Sequence, residues 1–277
     1  MRMYKQQEGV IGDIYALFTR NFPMALEMAK REIKDRYTRQ IFGLFWAVLH
    51  PSIQIAIYLF IFLIVFKVKL EATGRSVPVY DYSTYILSGL IPWFAMQESM
   101  SKGCTVITSN MSLVKQVIFP VEILPVKTVI ATEVTQCVML VLLTGYLAVT
   151  GRIVSWMYLL VPVLFFLQFL LMCGLAFVLS VIGIYFRDMK DFVQVFCISG
   201  IYIMPIFYLP NAVPELFRPL LYVNPFSYMI WCYQDAICFC EFAHWPSWIV
   251  FSVTSLLFFY AGFALFRKVK IIFGSIL

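Results

Sequence analysis

Residues 153–186 read IVSWMYLLVPVLFFLQFLLMCGLAFVLSVIGIYF, a run of 34 residues without Asp, Glu, Lys, Arg or His. A helix rises about 1.5 Å per residue, so about 20 apolar residues cross the roughly 30 Å hydrocarbon core of a bilayer. The run exceeds that length, which predicts a spanning helix over 153–184 that tilts or ends in the interface. Gly174, Ala176 and Ser180 within it permit close approach of a neighbouring helix. The rest of the chain has the same character. Of its 277 residues 62% are apolar and only 13% charged, whereas a soluble domain carries about 25% charged residues on its surface. Lipid is therefore the solvent expected for most of the chain.

Toward the N-terminus, a third span is expected over 126–149, with Lys127 and Glu133 in its first turns. Ahead of it, residues 109–125 are less apolar and close on Pro120 and Pro125, reading as a short helix between spans. A second span over 84–108 passes Gly89 and Pro92 and holds Glu98 and Lys102 four residues apart, a pair that partly neutralises itself at depth. A polar loop over 67–83 precedes it. The first span, 42–66, lacks acidic residues, Lys and Arg, and His50, Pro51 and Gln54 near its start predict a kink. Residues 10–39 place Phe22, Leu26, Ala29, Ile33 and Tyr37 on one stripe and Lys30, Arg31, Lys34 and Asp35 on other faces. That is an amphipathic helix suited to the membrane interface, to docking on a soluble partner, or to both. The polar first 39 residues do not resemble a cleaved signal peptide and are expected to be retained.

Toward the C-terminus, a fifth span is expected over 192–209, ending at Pro205 and Pro210. Residues 219–234 are uncharged and aromatic but few for a crossing, and Glu215, Arg218, Asp235 and Glu241 flank them. Segment 211–245 therefore reads as an external re-entrant helical hairpin. The last span, 248–266, is stopped by Arg267, Lys268 and Lys270. The expected fold is all-α, an integral membrane domain over 1–277 with six transmembrane helices. Only Lys67, Lys69, Arg75, Arg152 and Arg218 fall on one side. Every other Lys and Arg of the 21 lies with the termini, which places both termini in the cytoplasm.

The net charge of +6 resides in those short flanking segments, so membrane orientation explains it and nucleic-acid binding is not expected. No Walker-type phosphate loop, Gly-x-Ser-x-Gly elbow, His-Glu-x-x-His helix or plausibly spaced carboxylate pair occurs, so no catalytic residue or resident cofactor is expected. If transport is ATP-driven, the motor is another chain. The seven cysteines lie mainly in apolar segments as small hydrophobes. Cys238, Cys240 and His244 offer three soft metal-ligand types without a fourth, and Cys232 to Cys238 or Cys240 is an alternative disulfide. No metal site is expected.

Several short motifs then fall in order across residues 30–266. They are Arg31-Glu32-Ile33-Lys34-Asp35-Arg36-Tyr37, Gly43-Leu44-Phe45-Trp46-Ala47 followed by Pro51, and Gly89-Leu90-Ile91-Pro92-Trp93-Phe94. Asn110 to Lys115, Phe119-Pro120-Val121-Glu122-Ile123-Leu124-Pro125, Phe186-Arg187-Asp188 and Asn224-Pro225 complete the set. As an ordered set they resemble the permeases of type 2 ABC exporters for polysaccharides, most of all those for O-antigen, with teichoic-acid and capsule permeases as relatives. The resemblance implies a homodimer in the bacterial inner membrane, bound to two ATPase subunits that carry the ATP and Mg. It implies an undecaprenyl-linked polysaccharide as substrate. It makes 109–125 a coupling helix against the ATPase, through Lys115, Phe119, Pro120 and Glu122, and puts Arg187 and Asp188 at a cytoplasmic turn.

Sugar rings present C–H faces that lie on aromatic rings, and 18% of the chain is aromatic. Candidate path residues are Tyr58, Tyr85, Trp93, Phe94, Tyr202, Phe207 and Tyr208, set against the tendency of Trp and Tyr to collect at membrane interfaces and of Phe to face lipid. Glu98 and Lys102 join them, because charges at depth face an aqueous path or a partner. A drug or lipid exporter of the same architecture is the alternative. An enzyme or ion channel lacks the residues it would need.

Overall fold

The computed structural model describes residues 9–38, 41–65, 71–72, 75–76, 81–115, 119–151, 155–186, 188–270 and 273. Three of its helices are long and apolar enough to cross a bilayer: Ile123–Val149, Trp156–Tyr185 and Trp245–Val269. They overlap the segments expected as the third, fourth and last spans; the first begins three residues earlier than expected, the second runs from 156 to 185, and the third is longer by three residues at each end. The remaining helices are shorter or more polar. In chain order the α-helices are α1 (Val10–Ala16), α2 (Phe22–Thr38), α3 (Trp46–Leu59), α4 (Asp81–Thr105), α5 (Met111–Val114), α6 (Ile123–Val149), α7 (Val161–Tyr185), α8 (Met189–Ile203), α9 (Arg218–Val223), α10 (Pro225–Gln234) and α11 (Trp245–Val269). A two-residue ladder, β1 (Glu71–Ala72) with β2 (Arg75–Ser76), is antiparallel with Glu71 opposite Ser76.

Prolines set most of the breaks. Proline lacks an N–H and its ring crowds the carbonyl four residues back. Ahead of Pro23 the expected single helix over 10–39 therefore opens into a wide π turn, Leu17–Asn21, between α1 and α2; Arg39 lies outside the described residues. The residue before proline is driven to extended backbone. Met204, before Pro205, has ψ 151° and ends α8 at Ile203, six residues short of the expected end of the fifth span. Asn224, before Pro225, has ψ 115° and separates α9 from α10, where its Oδ1 caps α10 by accepting from the Phe226 N–H at 3.1 Å. Pro125 sits in the first turn of α6, where an N–H has no helical acceptor anyway. Segment 109–125 is thus not one helix. A 3₁₀ turn (Thr108–Asn110) and the four-residue α5 precede α6, with 116–118 outside the described residues.

Helix α7 is the axis of the bundle. A side chain at Gly174 or Gly262 would overlap the facing backbone of α11 or α7, and one at Gly183 would overlap the Cys104 carbonyl of α4. Gly103 faces Ala176 less tightly, where an added Cβ would come within 3.1 Å of its Cα. Such contacts between small residues let dispersion act at short range where lipid supplies no hydrophobic drive. Phe177, wholly buried, fills the remaining space against Phe263 and Phe266.

Helix α10 runs antiparallel to α4. Phe239, just past α10, meets Tyr85, Ile230 meets Gly89, and Phe226 in its first turn meets Trp93. Trp93 lies twelve residues into α4, roughly 18 Å along it. The 211–245 segment therefore turns at depth, with an exposed α9 leading into a buried α10.

The N-terminal helices lie across one end of the bundle, where the last turn of α11 also falls. Arg267 Nε meets Asp13 Oδ2 at 2.7 Å, and Phe18 packs on Phe259. The face of α2 turned inward holds Ala25 and Ala29, both buried, with Glu32 and Arg36 in line beyond them. That face is rotated from the apolar stripe read in the sequence, and Leu26 of the stripe stays 37% exposed. On the outer side Lys30 Nζ donates to Glu27 Oε1 at 2.7 Å, and this bond and its charge hold the Glu27 carboxyl below its ordinary range.

Candidate functional site

Polar groups from five helices gather around one cavity of about 1130 Å³. At the end of the bundle that carries α2, its wall is Arg36 and Tyr37, Trp46 and His50 of α3, and Glu98 and Ser101 of α4. Deeper, Gln54, Phe94, Gln97, Thr132, Thr135 and Gln136 line it, together with Gln194 and Cys197 of α8. Charge is confined to the α2 end, and the side-chain amides lie deeper.

An ion-pair chain crosses the charged end. Arg36 Nη1 meets Glu98 Oε1 at 3.0 Å, Lys102 Nζ meets the same oxygen at 2.6 Å, and Glu32 then contacts Lys102 at 3.8 Å and Lys127 at 3.4 Å. The Glu98–Lys102 pair expected from spacing is present, and the N-terminal helix supplies Arg36 and Glu32 to it, partners the sequence did not reveal. Single exposed pairs contribute about 0–1 kcal/mol. Here three cations share two carboxylates at roughly one-quarter exposure, so loss of either carboxylate takes a partner from two cations at once.

Mid-bundle, Gln136 of α6 and Gln168 of α7 exchange amide bonds at 2.9 Å. Gln168 Nε2 also donates to the Pro92 carbonyl at 3.0 Å, and Gln136 Nε2 to the Tyr233 hydroxyl at 3.2 Å. This network joins α4, α6, α7 and α10 where lipid offers no hydrogen-bond partner. One turn away Glu133 is buried, with neither carboxyl oxygen hydrogen-bonded.

The proposed path aromatics separate into two groups. Phe94 lines the cavity and tilts against Tyr58, which stacks on Phe62; Phe62 stacks on Phe207, and Phe207 meets Tyr202. These rings form a ladder from the cavity to the opposite end of the bundle, with centroid spacings of 5.4 to 6.4 Å. Tyr85 and Trp93 belong to the packed interior. Tyr85 is wholly buried and its hydroxyl donates to the Tyr208 carbonyl at 2.9 Å. Trp93 is wholly buried among Phe196, Phe226 and Gly200. Tyr208 donates to the Ile203 carbonyl at 2.8 Å and closes the end of α8.

The four residues of the 109–125 segment are likewise dispersed. Lys115 is exposed. Phe119 is half-buried and, with Met24, Met28 and Leu113, forms the apolar wall of a groove of about 520 Å³. The Pro120 carbonyl accepts from the Ile123 N–H at 3.1 Å, starting α6, and Glu122 lies 3.4 Å from Lys270. At the α7–α8 turn the Asp188 carbonyl accepts from Asp191 and Phe192; Arg187 lies outside the described residues.

On the far end the hairpin is clasped by Asp235, which is wholly buried. Its carboxylate takes the His244 backbone N–H at 2.9 Å and the Trp248 indole N–H at 3.1 Å, and pairs with His244 Nδ1 at 2.8 Å. His244 is thereby engaged away from Cys238 and Cys240. All seven cysteines are free thiols, and among the described residues no three His, Cys, Asp or Glu gather as metal ligands.

Comparison with known proteins bears on the whole assembly. The chain is 24% identical over 258 residues to an O-antigen export system permease protein, RfbA, of Klebsiella pneumoniae, covering 92% of this chain and 95% of that protein. A namesake of Myxococcus xanthus is 25% identical over 213 residues, covering 76% and 78%. The polysialic acid transport protein KpsM of Escherichia coli is 23% identical over 246 residues, covering 86% and 90%. The family model described as ABC-2 type transporter matches residues 25–238, from α2 through the buried limb of the hairpin, and the chain belongs to that family.

Proposed function

We propose that this chain is the membrane-spanning subunit of an exporter that carries a lipid-linked polysaccharide of the O-antigen class out of the cytoplasm, driven by a separate ATPase. The near-full-length similarity to O-antigen export permeases carries this reading. The cavity, with amides, hydroxyls and rings at depth, has the chemistry a glycan needs. In this reading six segments cross the bacterial inner membrane, α3, α4, α6, α7, α8 and α11, and the α9–α10 hairpin enters from the periplasm. Both termini are cytoplasmic, so α1 and α2 lie on the cytoplasmic interface. Two copies pair, each with one ATPase that holds ATP and Mg. Lys115 and the groove around Phe119 face that ATPase. Glycan bearing an undecaprenyl anchor enters past Arg36 and Glu98 and leaves along the ring ladder from Phe94 through Tyr58, Phe62 and Phe207 to Tyr202.

The test is deletion and complementation in the native host. Loss of the chain should leave lipid-linked polysaccharide inside the cell and remove it from the surface, and the wild-type chain should reverse both. Normal surface glycan without the chain refutes the reading. The similarity to the polysialic acid transport protein supports a second reading, a capsule-type polymer, and the composition of the accumulated glycan separates the two.

A further inference from the structure

Four glutamines from four helices meet at the cavity: Gln54 of α3, Gln97 of α4, Gln136 of α6 and Gln194 of α8. Gln136 is 1% exposed and its amide hydrogens are committed to Gln168 and Tyr233, so its role is to hold helices together. The other three differ. Gln97 uses Nε2 on the Cys197 carbonyl, which leaves its own carbonyl oxygen and a second hydrogen for the cavity. Gln54 and Gln194 make no hydrogen bond with any described residue. An amide at membrane depth is costly unless it has a partner or water. Helix association therefore accounts for Gln136 and leaves Gln54 and Gln194 unexplained. Of the lining charges, Arg36 and Glu98 are paired at 3.0 Å through Arg36 Nη1, while Arg36 Nη2 makes no hydrogen bond with any described residue, so a phosphate has its own donor at the mouth of the cavity, apart from the amides.

We propose that Gln54, Gln97 and Gln194 are specificity-determining residues that bind the sugar hydroxyls of the passing glycan, and not the pyrophosphate of its lipid anchor. This rests on the exporter reading above. An amide presents a donor and an acceptor without charge, as a hydroxyl does, so the two exchange bonds in either sense. A repeating glycan replaces each departing hydroxyl with the next, and the amides return to the same state at every step. A fixed charge in their place would hold an ion and release it slowly. The three side chains come from separate helices, with Gln97 held to α8 one turn from Gln194, so they offer the passing chain amides from more than one helix.

The permease assembled with its ATPase in lipid nanodiscs tests this, with ATP hydrolysis as the readout. Two probes are titrated: undecaprenyl pyrophosphate carrying the full polysaccharide, and the same lipid carrying one sugar. In the double variant Gln54→Leu with Gln194→Leu, the half-saturating concentration of the polysaccharide lipid should rise roughly tenfold, the loss expected for two hydrogen bonds. The single-sugar lipid should act as it does on the wild type. Glutamate at both positions keeps the size and removes the donors, and should weaken the polysaccharide response as well. A wild-type response in either variant overturns the proposal, as does an equal loss for both lipids. Failure of the double variant to copurify with the ATPase assigns the amides to packing and also overturns it. If the wild-type complex ignores the polysaccharide lipid, it is the exporter reading that fails.

Discussion

At the scale of single residues, the structure separates side chains that only fill space from those with free chemistry. Gly174 and Gly262 have no room for a Cβ between α7 and α11, so Gly174→Val should destabilise the protein by about 1–3 kcal/mol or more. Gly145 faces open space, and Gly145→Ala should be neutral or stabilise by up to about 1 kcal/mol. Thermal unfolding of the purified protein in detergent distinguishes them, and equal melting temperatures would contradict the packing. Phe119 and Lys115 form a second contrast. Phe119 packs half-buried against the core and lines the groove with Met24 and Met28, so Phe119→Ala should lower the melting temperature, by less than the roughly 3–5 kcal/mol of a fully buried phenylalanine. Lys115 is exposed, so Lys115→Glu should leave melting unchanged and reduce ATPase recovered with the permease. Unchanged recovery would remove Lys115 from the coupling surface.

At the scale of elements, the N-terminal helix is held by charge as much as by packing. Glu98 accepts both Arg36 and Lys102, and replacing it by Gln leaves two cations facing a neutral amide. Lys102 retains only the longer 3.8 Å approach to Glu32. Helix α2 should then part from α4. A cysteine placed at Ala29, a position only 1% exposed, should react slowly with a soluble thiol reagent in the wild type. With Glu98→Gln it should react several-fold faster, and surface glycan should fall more than with Glu71→Gln. Equal labelling rates in the two backgrounds would show that Ala25, Ala29 and their neighbours hold α2 without the ion pairs.

At the scale of the whole molecule, the charge distribution and the bundle geometry make one joint statement about sidedness. Lys115 lies at the end of the bundle that carries α2, and Glu215 lies in the segment leading to α9 at the other. Both are exposed. In intact cells an impermeant thiol reagent should label Glu215→Cys and spare Lys115→Cys, and permeabilised cells should label both. The reverse pattern would invert the assembly in the membrane and place the ion-pair chain outside, away from any ATPase.

What the sequence determined by itself is what depends on neighbours along the chain. The length of an uncharged run sets whether it crosses lipid, and α6, α7 and α11 are legible on that ground alone. A proline breaks a ladder within a few residues of itself, yet the expected fifth span ran on to 209 where α8 ends at Ile203, and the turn at Asn224 fell inside the segment 219–234 read as one. The Glu98–Lys102 pair follows from a four-residue spacing on one helix. The tertiary structure alone decided which face each helix turns inward. Trp93 and Phe94 are adjacent in sequence, yet Gly200 and Phe226 close over the first while the second opens on the cavity. Arg36, Gln54, Gln97, Gln136 and Gln194 share that cavity from five separate helices, and no spacing along the chain announces it. The reason is that lipid tails and protein interior are equally apolar. Hydrophobicity along the chain says that a helix is in the membrane but not which side of it meets protein, and close contacts among small residues and amides settle that choice.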